Sequence, residues 1–138
     1  MPSTRPFEEK DQNRVMQLFF QLTGKPVLFD TEDLLNDENC HAIVVENEDA
    51  VVVGFASLII HRLPTRGLVA RIEDVVVDES QRGKGYGRML MEKLLDIAKE
   101  RKISEVDLTS NPSREAARKL YESMGFKLRD TGVFRIEL

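Results

Sequence analysis

The sequence is poor in cysteine, has no tryptophan and shows no excess of basic residues. Its one cysteine, Cys40, excludes a disulfide within the chain and a zinc site of four thiolates. Lysine and arginine together number 20, against 24 aspartates and glutamates, and the formal net charge is −4. Because nucleic-acid-binding domains normally carry a basic excess, this balance disfavours nucleic acid as a partner. No run of apolar residues approaches the length of about 18 that suggests a membrane span.

The remaining composition is ordinary for a globular protein, with 41% hydrophobic and 32% charged residues. A length of 138 residues favours a single domain over residues 1–138. The first ten residues carry four charged side chains and no apolar stretch, so they do not resemble a signal peptide. We therefore predict a cytoplasmic protein.

Hydrophobic spacing predicts strands and helices in a mixed order. The predicted helices lie after Asp11, at 31–36, at 85–101 and after Ser113, and the predicted strands lie near Arg5 and at 41–46, 51–60, 68–78, 103–108, 126–129 and 133–138. Hairpins in the first half indicate antiparallel pairing, and the strand–helix–strand passage indicates a parallel pair. The predicted fold class is α+β, with a mixed, mostly antiparallel sheet of about seven strands flanked by four helices.

A glycine-rich turn follows the predicted strand that ends in Val75-Val76-Val77 and precedes an amphipathic helix. Residues 82–87 read R-G-K-G-Y-G. Glycines let backbone N–H groups converge, and a helix N-terminus adds partial positive charge, so this context predicts a site for a phosphate or pyrophosphate. Neither the dinucleotide fingerprint nor the P-loop pattern fits these residues. The alternative is a tight turn whose glycines serve the backbone alone.

Two motifs resemble signatures of the GNAT family of N-acetyltransferases. The pattern R-x-x-G-x-G at 82–87 is similar to the acetyl-CoA signature of that family, and R-x-x-A-x-x-L-Y-x-x-x-G-F at 114–126 is similar to its second signature. The resemblance covers about Val51 to the C-terminus. One departure is Arg114, which stands where the family often has asparagine, and the nearby Asn111 is the candidate substitute.

The resemblance implies the family's fold, acetyl-CoA as co-substrate and no metal. It also implies that the strand at 75–77 splays from its parallel neighbour and pairs with the pantetheine arm, with the N–H of Val75 donating to the thioester carbonyl. Lys84 and Arg88 then contact the 3′-phosphate or lie in solvent. The implied cofactor-binding residues are Val75, Val76, Val77, Arg82, Gly83, Lys84, Gly85, Tyr86, Gly87, Arg88 and Asn111.

Three residues are candidates for the catalytic steps. The resemblance makes Tyr121 the general acid, because a phenol with a pKa of about 10 can donate a proton to a thiolate at neutral pH. The alternative is an ordinary helix tyrosine with its hydroxyl at the surface. Glu73 and Asp74 are candidates to bind the acceptor amine or take its proton, and the alternative is that both are ordinary strand-end charges, one of them paired with Arg71. Because neighbouring strand residues point to opposite faces, we expect only one of them on the acceptor side.

The resemblance implies transfer of an acetyl group to a primary amine of a small molecule, by direct attack in a ternary complex. The strand at 72–78 is similar to that of amino-sugar-phosphate acetyltransferases, and polyamine acetyltransferases have a similar Glu-Asp pair. The acidic segment 31–38 favours a cationic acceptor. The alternatives are a peptide or protein N-acetyltransferase and a non-catalytic acyl-CoA-binding module. Homodimers, often formed through the closing strands, are common in the family.

Overall fold

The computed structural model describes residues 1–138. The chain consists of two compact units, Met1–Leu108 and Thr109–Leu138. No helix is both long and apolar enough to cross a membrane. The organisation as a single domain stays a prediction.

The first unit contains one five-stranded sheet in the order β1-β2-β3-β4-β5. Its strands are β1 (Ser3–Pro6), β2 (Cys40–Glu46), β3 (Val52–Leu63), β4 (Gly67–Val77) and β5 (Val106–Asp107). The first four pair antiparallel, and β5 pairs parallel to β4. The predicted mixed, mostly antiparallel sheet is therefore confirmed.

The four predicted helices are present, three in the first unit and one in the second. They are α1 (Gln12–Thr23), α2 (Thr31–Asn36), α3 (Tyr86–Glu100) and α4 (Glu115–Ser123). Helices α1 and α3 cover opposite faces of the sheet, because they contact neighbouring residues of β3. The ring of Phe55 meets Phe19 of α1 edge-on at 4.9 Å, whereas Gly54 lies against Leu90 of α3.

Gly54 sets how closely α3 approaches the sheet. A Cβ atom at this position would lie 2.9 Å from Cγ1 of Val45 and 3.1 Å from both Cδ1 of Leu90 and the carbonyl oxygen of Val76. No Cβ atom fits there without a shift of these neighbours. The glycine therefore lets the core close around the middle of the sheet.

A β-bulge interrupts the pairing of β3 with β4. Phe55 pairs with Val76 and Ser57 pairs with Glu73, so β4 carries one more residue than β3 across this interval. Asp74, inside the bulge, has φ of +54°. Aspartate is among the few residues other than glycine that tolerate this left-handed region. The bulge lies where the sequence predicts the acceptor side.

The two predicted closing strands are absent, and the sheet has five strands rather than about seven. Residues 126–138, in the second unit, form neither helix nor strand. The apolar side chains that alternate near the C-terminus are exposed, with Phe134 at 100% and Ile136 at 82%. Alternation predicts a strand only where a partner strand and an apolar surface are available, and the chain supplies neither to these residues.

Candidate active site

The glycine-rich turn leads directly into the N-terminus of α3. Gly83 has φ of +80° and Gly85 has φ of +86°, and a Cβ atom at either position would meet open space. Gly85 is the N-cap of α3, and no side chain caps the helix there. The first N–H groups of α3 therefore have no acceptor from a capping side chain, which is the arrangement that binds phosphate groups.

The cations of the turn lie in solvent around this helix end. Arg82, Lys84 and Arg88 are exposed. The Nζ atom of Lys84 donates to the side chain of Gln81 at 3.2 Å, and Arg88 forms an ion pair with Glu92 at 3.7 Å. All three side chains are accessible to an anion from solvent.

Tyr86 differs from these cations because its side chain is buried. Its ring belongs to the core of the first unit, so its contribution to an anion site is limited to its backbone N–H.

Side chains of α1 hold the segment between β4 and the turn. Arg14 binds the carboxylate of Asp78 through Nη2 and donates from Nε to the carbonyl oxygen of Val52 at 2.7 Å. The hydrogen bond from Arg14 lowers the pKa of Asp78 from 3.8 to about 2. The N–H of Glu79 donates to Gln21 at 2.9 Å. This segment is therefore fixed at two points before the glycines begin.

The edge of β4 that faces away from β3 is largely unpaired. Strand β5 pairs only with Ala70 and Arg71, so from Ile72 to Val77 this edge has no neighbouring strand. An unpaired strand edge can accept an extended ligand as if it were an added strand. The positions predicted to contact the pantetheine arm, Val75 to Val77, all lie on this stretch.

A cavity of about 540 Å³ opens on the α1 side of the sheet, within the first unit. This volume is in the range of small-molecule sites. Its apolar lining comes from α1, the connection to α2, α2 itself and β3, and includes Phe19, Leu22, Val27, Phe29, Leu34, Phe55 and Ile59. Its acidic lining consists of Asp30, Asp33, Asp37, Glu73 and Asp74.

The expectation that Glu73 and Asp74 face opposite sides of the sheet is wrong, because both line this cavity. The bulge and the positive φ of Asp74 break the alternation of the strand at this point. Asp74 is solvent-exposed, and partial desolvation of its carboxylate at the cavity, followed by the negative charge of Glu73, raises its pKa. Glu73 itself pairs with Nε of Arg71 at 3.0 Å.

Cys40 also lines the cavity, and sequence reasoning assigned it no role there. Burial raises the pKa of its thiol, and the charges of Asp37 and Asp74 raise it further. The thiol is therefore protonated at neutral pH and a weak nucleophile. Asp37, the residue after α2, and Asp74 of β4 line the same cavity as this thiol.

The second unit carries the remaining predicted residues. Tyr121 is buried, with its ring 6.1 Å from that of Phe126. Burial raises the pKa of its phenol, an effect that the charge of Arg114 partly offsets. Asn111 is exposed, and its side-chain oxygen accepts hydrogen bonds from the N–H and the hydroxyl of Ser113, both at 2.9 Å. The phenol therefore keeps its proton at neutral pH, while the Asn111 oxygen is used within its own turn.

Sequence reasoning missed most of the cavity wall. Phe29 and Ser57 are examples of lining residues that no motif contains. Apart from Glu73 and Asp74, the one signal was the acidic segment 31–38, of whose carboxylates only Asp33 and Asp37 line the cavity. Aspartate in a run of β-branched residues was a signal for the bulge, because aspartate is rare in strands and tolerates positive φ.

Comparison with known proteins agrees with this architecture. The family model described as "Acetyltransferase (GNAT) family" matches residues 6–126. The chain is 34% identical over 134 residues to glucosamine 6-phosphate N-acetyltransferase of Trypanosoma brucei brucei. The aligned region covers 91% of this chain and 89% of that protein. It is 31% identical over 135 residues to probable glucosamine 6-phosphate N-acetyltransferase 2 of Oryza sativa subsp. japonica, covering 88% and 80%.

A solved structure of an acetyltransferase is also similar to this chain. The crystal structure of an acetyltransferase from Trypanosoma brucei superposes with a TM-score of 0.85 and 31% sequence identity, over the whole of both chains. The chain belongs to the GNAT acetyltransferase family, as its two motifs predicted. It is an acetyl-CoA-dependent N-acetyltransferase, which decides against the non-catalytic module.

Proposed function

We propose that the protein transfers the acetyl group of acetyl-CoA to a primary amine of a small molecule bound in the cavity of the first unit. The observation that carries this proposal is the course of β4. Its bulge lines the cavity with two carboxylates, its unpaired edge follows, and the strand then leads into the glycine-rich turn. One strand thus connects a candidate acceptor site to a candidate cofactor site.

The residues of the turn fit a pyrophosphate. The uncapped N-terminus of α3 and the two glycines at positive φ present backbone N–H groups without Cβ obstruction. When bound, acetyl-CoA supplies an acyl group activated as a thioester. In this proposal residues 82–88 hold its phosphates, and the N–H of Val75 donates to the thioester carbonyl oxygen.

On the acceptor side, Glu73 and Asp74 bind the ammonium form of the amine and accept its proton. An amine attacks only when it is neutral, so a base near the acceptor is required. The raised pKa of Asp74 makes it a better proton acceptor than an ordinary aspartate. Glu73 forms an ion pair with Arg71, and its negative charge contributes to the raised pKa of Asp74.

Tyr121 donates the proton of its phenol to the departing CoA thiolate, which leaves as the thiol. Its place in the second motif and its buried phenol support this role. We expect Tyr121→Phe to lower kcat by about 100-fold, the scale of general acid catalysis, with a smaller change in acetyl-CoA affinity. Steady-state kinetics and calorimetric binding of acetyl-CoA measure the two effects separately. An unchanged kcat in a reaction limited by chemistry removes Tyr121 from the mechanism.

The state of Cys40 supports direct attack by the amine rather than transfer through a cysteine. It is the single cysteine of the chain, and its raised pKa keeps it protonated. A covalent route requires a thiolate, which this environment disfavours. Cys40→Ser should therefore retain turnover.

The relatives' activity on glucosamine 6-phosphate gives one candidate acceptor, and the paired carboxylates give a polyamine-like acceptor as the other. Release of CoA from acetyl-CoA, measured with a panel of amino sugars, sugar phosphates, polyamines, amino acids and peptides, tests the function. Turnover with a small amine is the expected result. Turnover restricted to peptides contradicts the proposal for small molecules.

We also propose that the protein is a cytoplasmic homodimer. The exposed, alternating apolar side chains of residues 133–138 support an exchange of closing segments between two copies. Sedimentation of the protein and of Phe134→Ser tests this, and a monomer at micromolar concentration contradicts it. The single cysteine is compatible with a reducing compartment, and cell fractionation tests the location.

A further inference from the structure

The cavity beside Glu73 and Asp74 carries charge of one sign. Five carboxylates line it, and no lysine, arginine or histidine does. Arg71 neutralises Glu73 from outside the lining, with 3.0 Å between Nε and Oε1. The other four carboxylates form no ion pair within the chain. Four of the five carboxylates of the cavity, all four of them solvent-exposed, therefore carry negative charge that no ion pair compensates.

These carboxylates come from two separate elements. Asp30, Asp33 and Asp37 belong to α2 and its two ends, whereas Glu73 and Asp74 belong to β4. Asp30 accepts a hydrogen bond from the N–H of Asp33 at 3.0 Å, and Asp37 accepts one from Asn39 at 2.9 Å. Each of those bonds uses one carboxylate oxygen and leaves the other available to a ligand.

Aromatic rings form the apolar part of the lining. Phe19 contacts Phe55 at 4.9 Å and Phe29 at 5.4 Å between ring centroids, both with steep interplanar angles. A rigid aromatic wall of this kind binds methylene groups through apolar contact and attracts a cation toward its ring faces. Both preferences favour an organic ammonium ion.

A phosphate has the opposite preference. At neutral pH a phosphate ester carries a charge of roughly −1.5 to −2, and it requires arginine, lysine or clustered N–H donors. The cavity lining offers none of the first two. Its carboxylates repel the phosphate and attract each ammonium group of a polycation.

We infer that the acceptor is a small amine with a second positive charge, separated from the acetylated amine by an apolar segment, and without a phosphate group. This inference rests on the proposed acetyl transfer at Glu73 and Asp74. In this arrangement one ammonium group lies at β4, where it loses its proton and is acetylated. The second lies at the carboxylates of α2.

Two matched pairs of acceptors test the second charge and the phosphate separately. The first pair is 1,5-diaminopentane and pentylamine, which differ by one ammonium group. We expect kcat/KM to be about tenfold or more higher for the diamine, the scale of one charge-assisted hydrogen bond. The second pair is glucosamine and glucosamine 6-phosphate, which differ by the phosphate, and glucosamine should be the better acceptor of the two.

A pair of variants locates the second charge. Asp33→Asn removes a carboxylate of the cavity, whereas Glu32→Gln removes a charge from the same helix outside the lining. We expect Asp33→Asn to reduce the preference for diamine over monoamine by several-fold, and Glu32→Gln to leave that ratio as in the wild type. The ratio of kcat/KM for the diamine to kcat/KM for the monoamine is compared within one variant, so an effect of the substitution on folding or on the chemical step cancels. Equal ratios in the two variants overturn the assignment of α2.

The outcomes separate this inference from the proposed function. Equal kcat/KM for both alkylamines, or a preference for glucosamine 6-phosphate over glucosamine, overturns the inference and leaves acetyl transfer intact. Absence of turnover with every amine overturns the proposed function instead. In that case calorimetric titration of both alkylamines into protein saturated with CoA decides the inference. Tighter binding of the diamine supports it, and equal or absent binding overturns it.

Discussion

The glycine-rich turn and the acidic cavity lie in the same unit and present different kinds of group to a ligand. The turn offers backbone N–H groups at a helix N-terminus, and its charged side chains stand exposed around them. The cavity offers side chains, with five carboxylates beside aromatic rings. Backbone donors suit the invariant phosphates of a cofactor, whereas side chains can differ between enzymes of one fold and so determine the acceptor.

The substitution Asp74→Asn should have the largest effect and should separate the role of the cavity in turnover from the role of the turn in cofactor binding. Loss of the proton acceptor should lower kcat by about 100-fold while acetyl-CoA still binds, because Asp74 lies in the cavity and outside the turn. Single-turnover kinetics and calorimetric binding of acetyl-CoA measure both quantities. A large loss of acetyl-CoA affinity with normal kcat reverses the assignment of the two regions.

A change in the turn should have the opposite signature. Gly85→Ala puts a Cβ atom on a residue with φ of +86°, which strains the N-cap of α3 and displaces its N–H groups. We expect KM for acetyl-CoA to rise about tenfold, with little change in KM for the amine. Gly67→Ala is the matched control, because Gly67, the first residue of β4, has φ of +77° and open space where a Cβ atom would lie. If KM for acetyl-CoA rises by a similar factor in both variants, the effect comes from general backbone strain and not from the N-terminus of α3.

The pH dependence of kcat tests the role of Asp74 as the base on the acceptor side. Partial desolvation and the charge of Glu73 raise the pKa of Asp74, and a base acts only when deprotonated, so kcat should rise with pH through that pKa. Glu73→Gln removes the like charge, lowers the pKa of Asp74 and moves this limb to lower pH. The profile of kcat at saturating substrates measures the shift. Glu105→Gln, which removes the exposed partner of Arg66, should leave the limb in place.

The smallest effect is expected where α1 holds the entrance to the turn. Arg14→Gln should lower the free energy of unfolding at neutral pH by about 1 kcal/mol, because Asp78 loses the hydrogen bond that lowers its pKa to about 2. A lowered pKa stabilises the fold above the unfolded value of 3.8 and ceases to do so as pH falls toward 2. The difference in unfolding free energy between wild type and variant, measured by urea unfolding, should therefore stay constant from neutral pH to about pH 4 and narrow as pH falls from 3.8 toward 2. If the difference in unfolding free energy does not change with pH, the lost stability comes from the packing of the Arg14 side chain and not from its hydrogen bond to Asp78.

The two regions also differ in how far the sequence predicts them. The turn and α3 follow from local rules, since glycine spacing and helical periodicity act within about twenty residues of one another. The cavity wall does not, because α1, α2, β3 and β4 each supply part of it and no spacing links Phe29 to Asp74. The prediction for Glu73 and Asp74 failed for a local reason, a single extra residue in β4 that cancels the alternation.

The closing segment shows a second limit of local patterns. Phe134, Ile136 and Leu138 alternate with charged residues as in a half-buried strand, yet all three are exposed and unpaired in the isolated chain. Alternation specifies which side chains would face an apolar surface, and it does not supply that surface. The number of strands in the sheet therefore depends on a partner edge that the sequence pattern cannot identify.

A crystal structure of the protein with CoA bound tests most directly whether β4 joins a cofactor site to an acceptor cavity. We predict the pyrophosphate at the backbone N–H groups of residues 82–88, the pantetheine along the unpaired edge at 75–77, and the sulfur at the mouth of the cavity beside Glu73 and Asp74. Phosphates bound away from the α3 N-terminus, or a sulfur directed away from the cavity, would contradict this arrangement.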